Sequence, residues 1–178
     1  GPAHRIVLVE REARHLFQPS LLWLMTGQRT AAGISRPLSA LARQGIEVVQ
    51  GEIERIDPAQ RSVQVAGQML TGDYLVIALG AELAAETIPG LAAAGHNFYT
   101  LAGAESLRAA RLTLTHGYVA LLVSGMPFKC PAAPYEAAML LEADFRARGL
   151  GAAVRFDIYT PEPGPMSTAG PEVSQQLR

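Results

Sequence analysis

Short runs of apolar residues, each ended by an acid, a glycine or a serine, limit this chain's folding options more than any other feature. Arg5-Ile6-Val7-Leu8-Val9-Glu10 and Asp73-Tyr74-Leu75-Val76-Ile77-Ala78-Leu79-Gly80 are continuous rather than alternating. Continuous runs of this length suit strands of a parallel sheet buried on both faces, because a strand with one wet face would alternate. Residues 46–69 do alternate: Ile46, Val48, Ile53, Ile56, Val63 and Val65 recur around the turn Asp57-Pro58-Ala59-Gln60, which predicts a meander or hairpin. Further on, a helix over 101–112, a strand over 118–124, a helix over 134–148 closed by Gly149 and a strand over 154–159 form a βαβ unit. The fold class is therefore α/β.

Punctuation fills in the rest. Residues 20–27 predict a short helix, and Ser35-Arg36-Pro37 reads as a second helix start, with a hydroxyl cap and a proline in the first turn. Leu38, Leu41 and Ala42 would give that helix its apolar face, and Gly45 its C-terminal cap. Proline and glycine at Ile88-Pro89-Gly90 make residues 81–95 a connection. Pro161-Glu162-Pro163-Gly164-Pro165 is extended by composition, and residues 173–178 look like the opening of a helix.

Composition excludes several classes. Fifteen Lys and Arg balance sixteen Asp and Glu without any basic run, so a nucleic-acid partner is not expected. The longest apolar stretches fall far short of the ~20 residues that cross a bilayer. No signal peptide is visible at the N-terminus, which leaves a cytoplasmic or peripheral membrane location, or a periplasmic one if a signal peptide has been removed. A single cysteine, Cys130, excludes an internal disulfide, and His4, His15, His96 and His116 lack metal-ligand spacing, so no metal site is expected.

Three positions carry chemistry. Glu10 ends a buried-strand pattern, where dinucleotide-binding folds use an acid to accept hydrogen bonds from ribose hydroxyls. The alternative is a solvated acid at a strand end. The glycine-rich phosphate turn that would precede it by ~20 residues falls before residue 1. Ala78-Leu79-Gly80 offers a small-residue turn where backbone can approach a ligand, or a plain strand-to-loop turn. Cys130, in Met126-Pro127-Phe128-Lys129-Cys130-Pro131, lies between a strand and a helix that Pro134 can start. The helix N-terminus and the Lys129 ammonium would both favour thiolate. The competing reading is a small buried hydrophobe, which belongs inside a strand or helix rather than in such a loop. Tyr135, Ala138, Met139 and Leu141 in the following helix read as core packing.

Together, Val7-Leu8-Val9-Glu10, Phe17-Gln18-Pro19-Ser20-Leu21, residues 49–57, residues 73–81 and Pro127-Phe128-Lys129-Cys130-Pro131-Ala132-Ala133-Pro134-Tyr135-Glu136 resemble the flavoprotein family of sulfide:quinone oxidoreductases and flavocytochrome c sulfide dehydrogenase flavin subunits. The resemblance implies tandem FAD/NAD(P)-binding Rossmann-like folds, both incomplete, with an inserted β meander. Residues 1–90 would be a partial FAD-binding domain lacking its glycine-rich unit, and 91–178 a partial second dinucleotide-type domain. Glu10 would hold the FAD ribose, the backbone around Glu52 and Ile53 the adenine, and Ala78, Leu79 and Gly80 the region near the phosphates, with Arg11 also among the cofactor-binding residues. Phe17 to Pro19 would approach the flavin. Cys130 would be the redox centre, exchanging sulfur and electrons with a second cysteine further along a longer protein. The implied substrate is sulfide or another small sulfur compound, and the implied acceptor a quinone or cytochrome. Peripheral membrane association and a homo-oligomer are compatible with this reading.

As a piece of a longer protein, the 178 residues alone are expected to bind FAD poorly and to be inactive. A type II NADH dehydrogenase or NAD(P)H-dependent disulfide reductase is the competing enzyme reading. Against it, Met126 and Phe128 fill places where a nicotinamide fold needs glycine. A catalytically inert binding domain, in which Cys130 only packs, is the third.

Overall fold

The computed structural model describes residues 4–177. Contacts divide the chain into two compact units, one of Gly1–Phe17 with Ala32–Glu82, the other of Gln18–Ala31 with Leu83–Arg178.

In the first unit, β1 (Ile6–Glu10) pairs in parallel with β4 (Ile46–Gln50), Glu10 standing opposite Gln50. The parallel ladder agrees with the apolar run. Burial on both faces does not: β1 is half-exposed and Ile6 is 48% accessible. A two-stranded ladder has few neighbours to cover its faces. β2 (Arg14–Leu16) pairs antiparallel with β3 (Ser35–Pro37), so Ser35-Arg36-Pro37 is a strand and not a helix start. The ladder takes up these residues, and a 3-10 helix over Leu38–Gln44 begins only after Pro37. Gly45 ends it in the left-handed conformation, φ 75°, its N–H reaching Leu41 and Ala42 carbonyls, as a C-terminal glycine should.

The alternating segment forms the expected meander, β5 (Ile53–Asp57), β6 (Ser62–Val65) and β7 (Gln68–Thr71). Asp57 Oδ1 accepts from the Gln60 N–H at 3.0 Å and fixes its first turn. Val63 and Val65, with Ile34 and Leu38, are the buried hydrophobics of this unit. The run at 73–80 is no strand among the described residues: it pairs with no other strand and, Leu75 apart, is exposed, with Tyr74 at 92% and Val76 at 85%. An apolar run needs neighbouring strands to become a ladder, and nothing described here pairs with it.

The second unit holds most of the core. A 3-10 turn (Gln18–Ser20) leads into α1 (Leu21–Met25), whose Leu21, Leu24 and Met25 are fully buried. The connection holds one short helix, α2 (Leu91–Ala94). Then come α3 (Leu101–Thr113), β8 (Gly117–Leu122), α4 (Ala133–Ala147) and β9 (Val154–Tyr159), with α5 (Pro171–Gln176) at the end. β8 and β9 are parallel with α4 as the crossover, which is the expected βαβ unit. Leu141 and Phe145 bury the inner face of α4, and Phe145 meets Phe156 of β9 edge-on at 5.6 Å. Burying such side chains contributes about 1.5 to 3 kcal/mol each. Met139 departs from the expected packing role and is 56% exposed, because it points away from that face. α1 packs against both α3 and α4. Asp144 of α4 takes the Arg111 guanidinium of α3 at 2.5 Å and Arg148 at 3.5 Å.

Candidate functional site

Four of the expected cofactor residues meet at one end of the β1–β4 ladder. The Glu12 N–H donates to Glu10 Oε1 at 3.1 Å, orienting that carboxylate, and the Gly51 N–H donates to the Glu10 carbonyl at 3.0 Å. Gln50 Nε2 donates to the Arg11 carbonyl at 3.3 Å. Glu52, exposed, and Ile53, half-buried, follow directly. Gly51 is required at this corner, since a Cβ there would lie 2.6 Å from Val65 Cγ2 in the meander core. A half-buried carboxylate at the C-terminal end of a parallel strand is a donor-seeking group suited to a vicinal diol. Ala78, Leu79 and Gly80, by contrast, lie on the exposed unpaired segment, with Gly80 at φ 78°. The structure does not draw them into a formed phosphate cradle. Glu10, Arg11, Glu52 and Ile53 are thus brought together at this corner, and Ala78, Leu79 and Gly80 stay on the exposed segment.

Cys130 is exposed in the loop that leaves β8 and enters α4. Its φ of 54° is left-handed, a conformation that costs a non-glycine residue about 1 to 2 kcal/mol. Its carbonyl accepts from the Ala133 N–H at 3.0 Å, closing the turn onto the first residue of α4, whose first turn contains Pro134. The preceding Met126–Pro127 peptide is cis. The Lys129 ammonium donates to Gln18 Oε1 at 2.9 Å. It anchors the cysteine loop to the 3-10 turn that carries exposed Pro19. Thus the Gln18–Pro19 segment and the Cys130 loop, which the sequence could only name separately, are joined in one unit.

Two residues were missed. Tyr99 Oη donates to the Lys129 carbonyl at 2.9 Å, one residue before Cys130. Burial, followed by the repulsion of a negative Cys130, pushes the Tyr99 phenol up to about 12, so it remains a donor at neutral pH. Beyond β9, Glu162 is buried at 8% accessibility and accepts from Tyr135 Oη at 2.5 Å, from Thr160 Oγ1 at 3.0 Å and from the Ser167 N–H at 3.3 Å. Burial pushes its carboxyl up, but the hydrogen bonds led by Tyr135 outweigh that and leave it below the ordinary glutamate value. Tyr135 is therefore core packing with a polar tip already in use.

Among the described residues no cluster of metal-ligating side chains forms, and no helix is long and apolar enough to cross a membrane.

A sequence model of the pyridine nucleotide-disulphide oxidoreductase family matches residues 2–149. The chain belongs to this family. Members similar to it include the mitochondrial sulfide:quinone oxidoreductase of Mus musculus, 27% identical over 83% of this chain and 34% of the relative. Demethylphylloquinone reductase NdbB of Synechocystis is 36% identical over 58% of this chain and 27% of the relative. Among solved structures, the sulfide:quinone oxidoreductase of Aquifex aeolicus superposes with a TM-score of 0.84 at 26% identity, over 99% of this chain and 42% of that one. The family fold is the Rossmann-like α/β architecture that the β1–β4 ladder and the β8–α4–β9 unit exhibit. The chain spans about a third to two fifths of the length of the sulfide:quinone oxidoreductases it matches.

Proposed function

We propose that this chain is part of an FAD-dependent oxidoreductase that oxidises sulfide or a related small sulfur compound through Cys130 and delivers the electrons to a quinone. The observation that carries the reading is the exposed Cys130 thiol at the C-terminal end of β8 and the start of α4, where open α/β folds hold ligands. Likeness to two sulfide:quinone oxidoreductases supports the choice of substrate and acceptor.

The residues present fit the adenosine end of FAD, Glu10 taking the ribose hydroxyls and the backbone at Glu52 and Ile53 flanking the adenine. Arg11 lies beside them, Ala78, Leu79 and Gly80 would approach the dinucleotide near its phosphates, and Pro19 the flavin. When bound, FAD supplies the two-electron acceptor. Cys130 presents its sulfur from a fixed loop just ahead of α4, where the positive end of the helix dipole favours negative charge. A dithiol partner for it lies outside these residues, because the chain has one cysteine.

NADH-type chemistry in the second unit is disfavoured by the same geometry. The β8–α4 loop carries Met126, Phe128 and Cys130 where pyrophosphate needs glycine, and the acid past β9, Glu162, is already satisfied by Tyr135 and Thr160. The test is sulfide-dependent quinone reduction by the full-length gene product against its Cys130→Ser form. Loss of turnover in the variant, with its flavin retained, is the expected result. Undiminished turnover would sink the role given to Cys130, and a Cys130 that alkylates only after denaturation would favour an inert domain.

A further inference from the structure

We infer that Tyr99 is a positioning residue for Cys130, its phenol hydroxyl holding the cysteine loop in the one backbone conformation that presents the thiol. The inference rests on the redox role proposed for Cys130 and adds how the thiol is aimed.

The argument starts from Cys130 itself. A cysteine at φ 54° has no intrinsic reason to stay there, and a strained residue persists only where its surroundings over-determine it. On its C-terminal side the Ala133 N–H holds the Cys130 carbonyl. On its N-terminal side, two bonds converge on Lys129: Tyr99 Oη donates to its carbonyl at 2.9 Å, and its ammonium reaches Gln18 at 2.9 Å. Only the first of these grips the peptide that joins Lys129 to Cys130. The hydroxyl therefore acts on the torsion that decides where Sγ points.

Tyr99 is in turn fixed by what precedes α3. Asn97 Oδ1 accepts from the N–H of Tyr99, the N–H of Thr100 and the hydroxyl of Thr100, each at 3.1 Å. Thr100 Oγ1 then caps α3 by accepting from the Gly103 N–H at 3.0 Å. Gly103 is bare for this purpose, since a Cβ there would lie 2.4 Å from Asn97 Oδ1. The Tyr99 ring leans on Phe98 with centroids 4.8 Å apart, so the aromatic body is held independently of its hydroxyl. A rigid helix start thus delivers one donor to one carbonyl, thirty residues away in sequence. Proximity of Tyr99 to the thiol is also recorded in the repulsion a negative Cys130 exerts on its phenol.

The experiment uses the full-length flavoprotein in three forms, Tyr99→Phe, Thr100→Ala and Cys130→Ser. Each is assayed for sulfide-dependent quinone reduction, for iodoacetamide alkylation of Cys130 where present, and for thermal midpoint. Tyr99→Phe keeps the ring and removes the donor. Its kcat is expected to fall roughly ten- to a hundredfold, the scale on which small misplacements of a reacting group act. KM for sulfide and the alkylation rate, which needs no fixed geometry, stay as in the wild type. Thr100→Ala removes the cap of α3 but leaves the Tyr99 hydroxyl in place, so it lowers the thermal midpoint and lowers kcat less than Tyr99→Phe does. A wild-type kcat in Tyr99→Phe overturns the proposal. So does a fall of kcat, alkylation rate and thermal midpoint together, which marks a merely structural role. Full activity in Cys130→Ser instead removes the underlying reading, and is told apart because that variant lacks the thiol altogether.

Discussion

Glu162 shows how much a single side chain can hold. It is buried, yet four groups donate to it, and their hydrogen bonds keep its carboxyl below the ordinary value near 4.5 despite the opposing effect of burial. A glutamate whose folded-state pKa is depressed contributes stability that is fully present above the unfolded value. That stability is lost as pH falls from about 4.5 through the lowered folded value. Glu162→Gln removes the charge and is expected to cost about 1 to 3 kcal/mol at pH 7. Urea unfolding of both forms from pH 7 downward checks it: the gap should close below pH 4.5, and a constant gap would mean that the charge is not what Tyr135 and Thr160 recognise. At this scale the sequence was legible where one residue carries its own signal. Glu10 at a strand end and Cys130 in a proline-flanked loop stand out unaided. Tyr99 and Glu162 do not, because their meaning lies in partners thirty and twenty-seven residues away.

Elements were legible in proportion to the local physics that makes them. The helix at α4 follows from Pro134 in its first turn, an apolar face through Leu141 and Phe145, and Gly149 beyond its end. The β3 strand was misread as a helix start because a hydroxyl followed by proline has the same composition in both, and only the β2 partner decides. What joins elements was not legible at all. Arg111 of α3 is 6% exposed on its side chain and 2.5 Å from Asp144 of α4, and Asp144 Oδ2 meets no hydrogen-bond geometry, so the contact is Coulombic. Removing one partner of such a buried pair strands the other charge, at a cost of about 3 to 5 kcal/mol. Asp144→Ala is therefore expected to destabilise the α3–α4 packing by that order in denaturant melts. The double variant Arg111→Met with Asp144→Leu should recover most of the loss. A single variant within 1 kcal/mol of wild type, roughly the worth of a surface pair, would show that solvent already screens the contact.

At the scale of the whole molecule, the segment after β7 is the place where sequence and structure part company, and the disagreement is informative. Its residues read as a parallel strand covered on both faces. In the structure Tyr74, Val76, Ile77 and Leu79 are exposed at 92, 85, 52 and 67%. Their backbone makes no ladder among the described residues. An exposed apolar segment with unpaired amides is a template for association with other chains. The 178-residue chain is therefore expected to associate as its concentration rises. Val76→Lys should suppress this by placing a charge on the free edge, read as a lower light-scattering signal at equal concentration. In a protein of its relatives' length the same substitution should act in the opposite sense. There a strand covered on both faces would have to bury the lysine, and the folded yield would fall. Scattering unchanged by Val76→Lys in the short chain would show that the segment is not its sticky surface. A lysine tolerated equally well in the long form would show that the apolar run is not a covered strand there either.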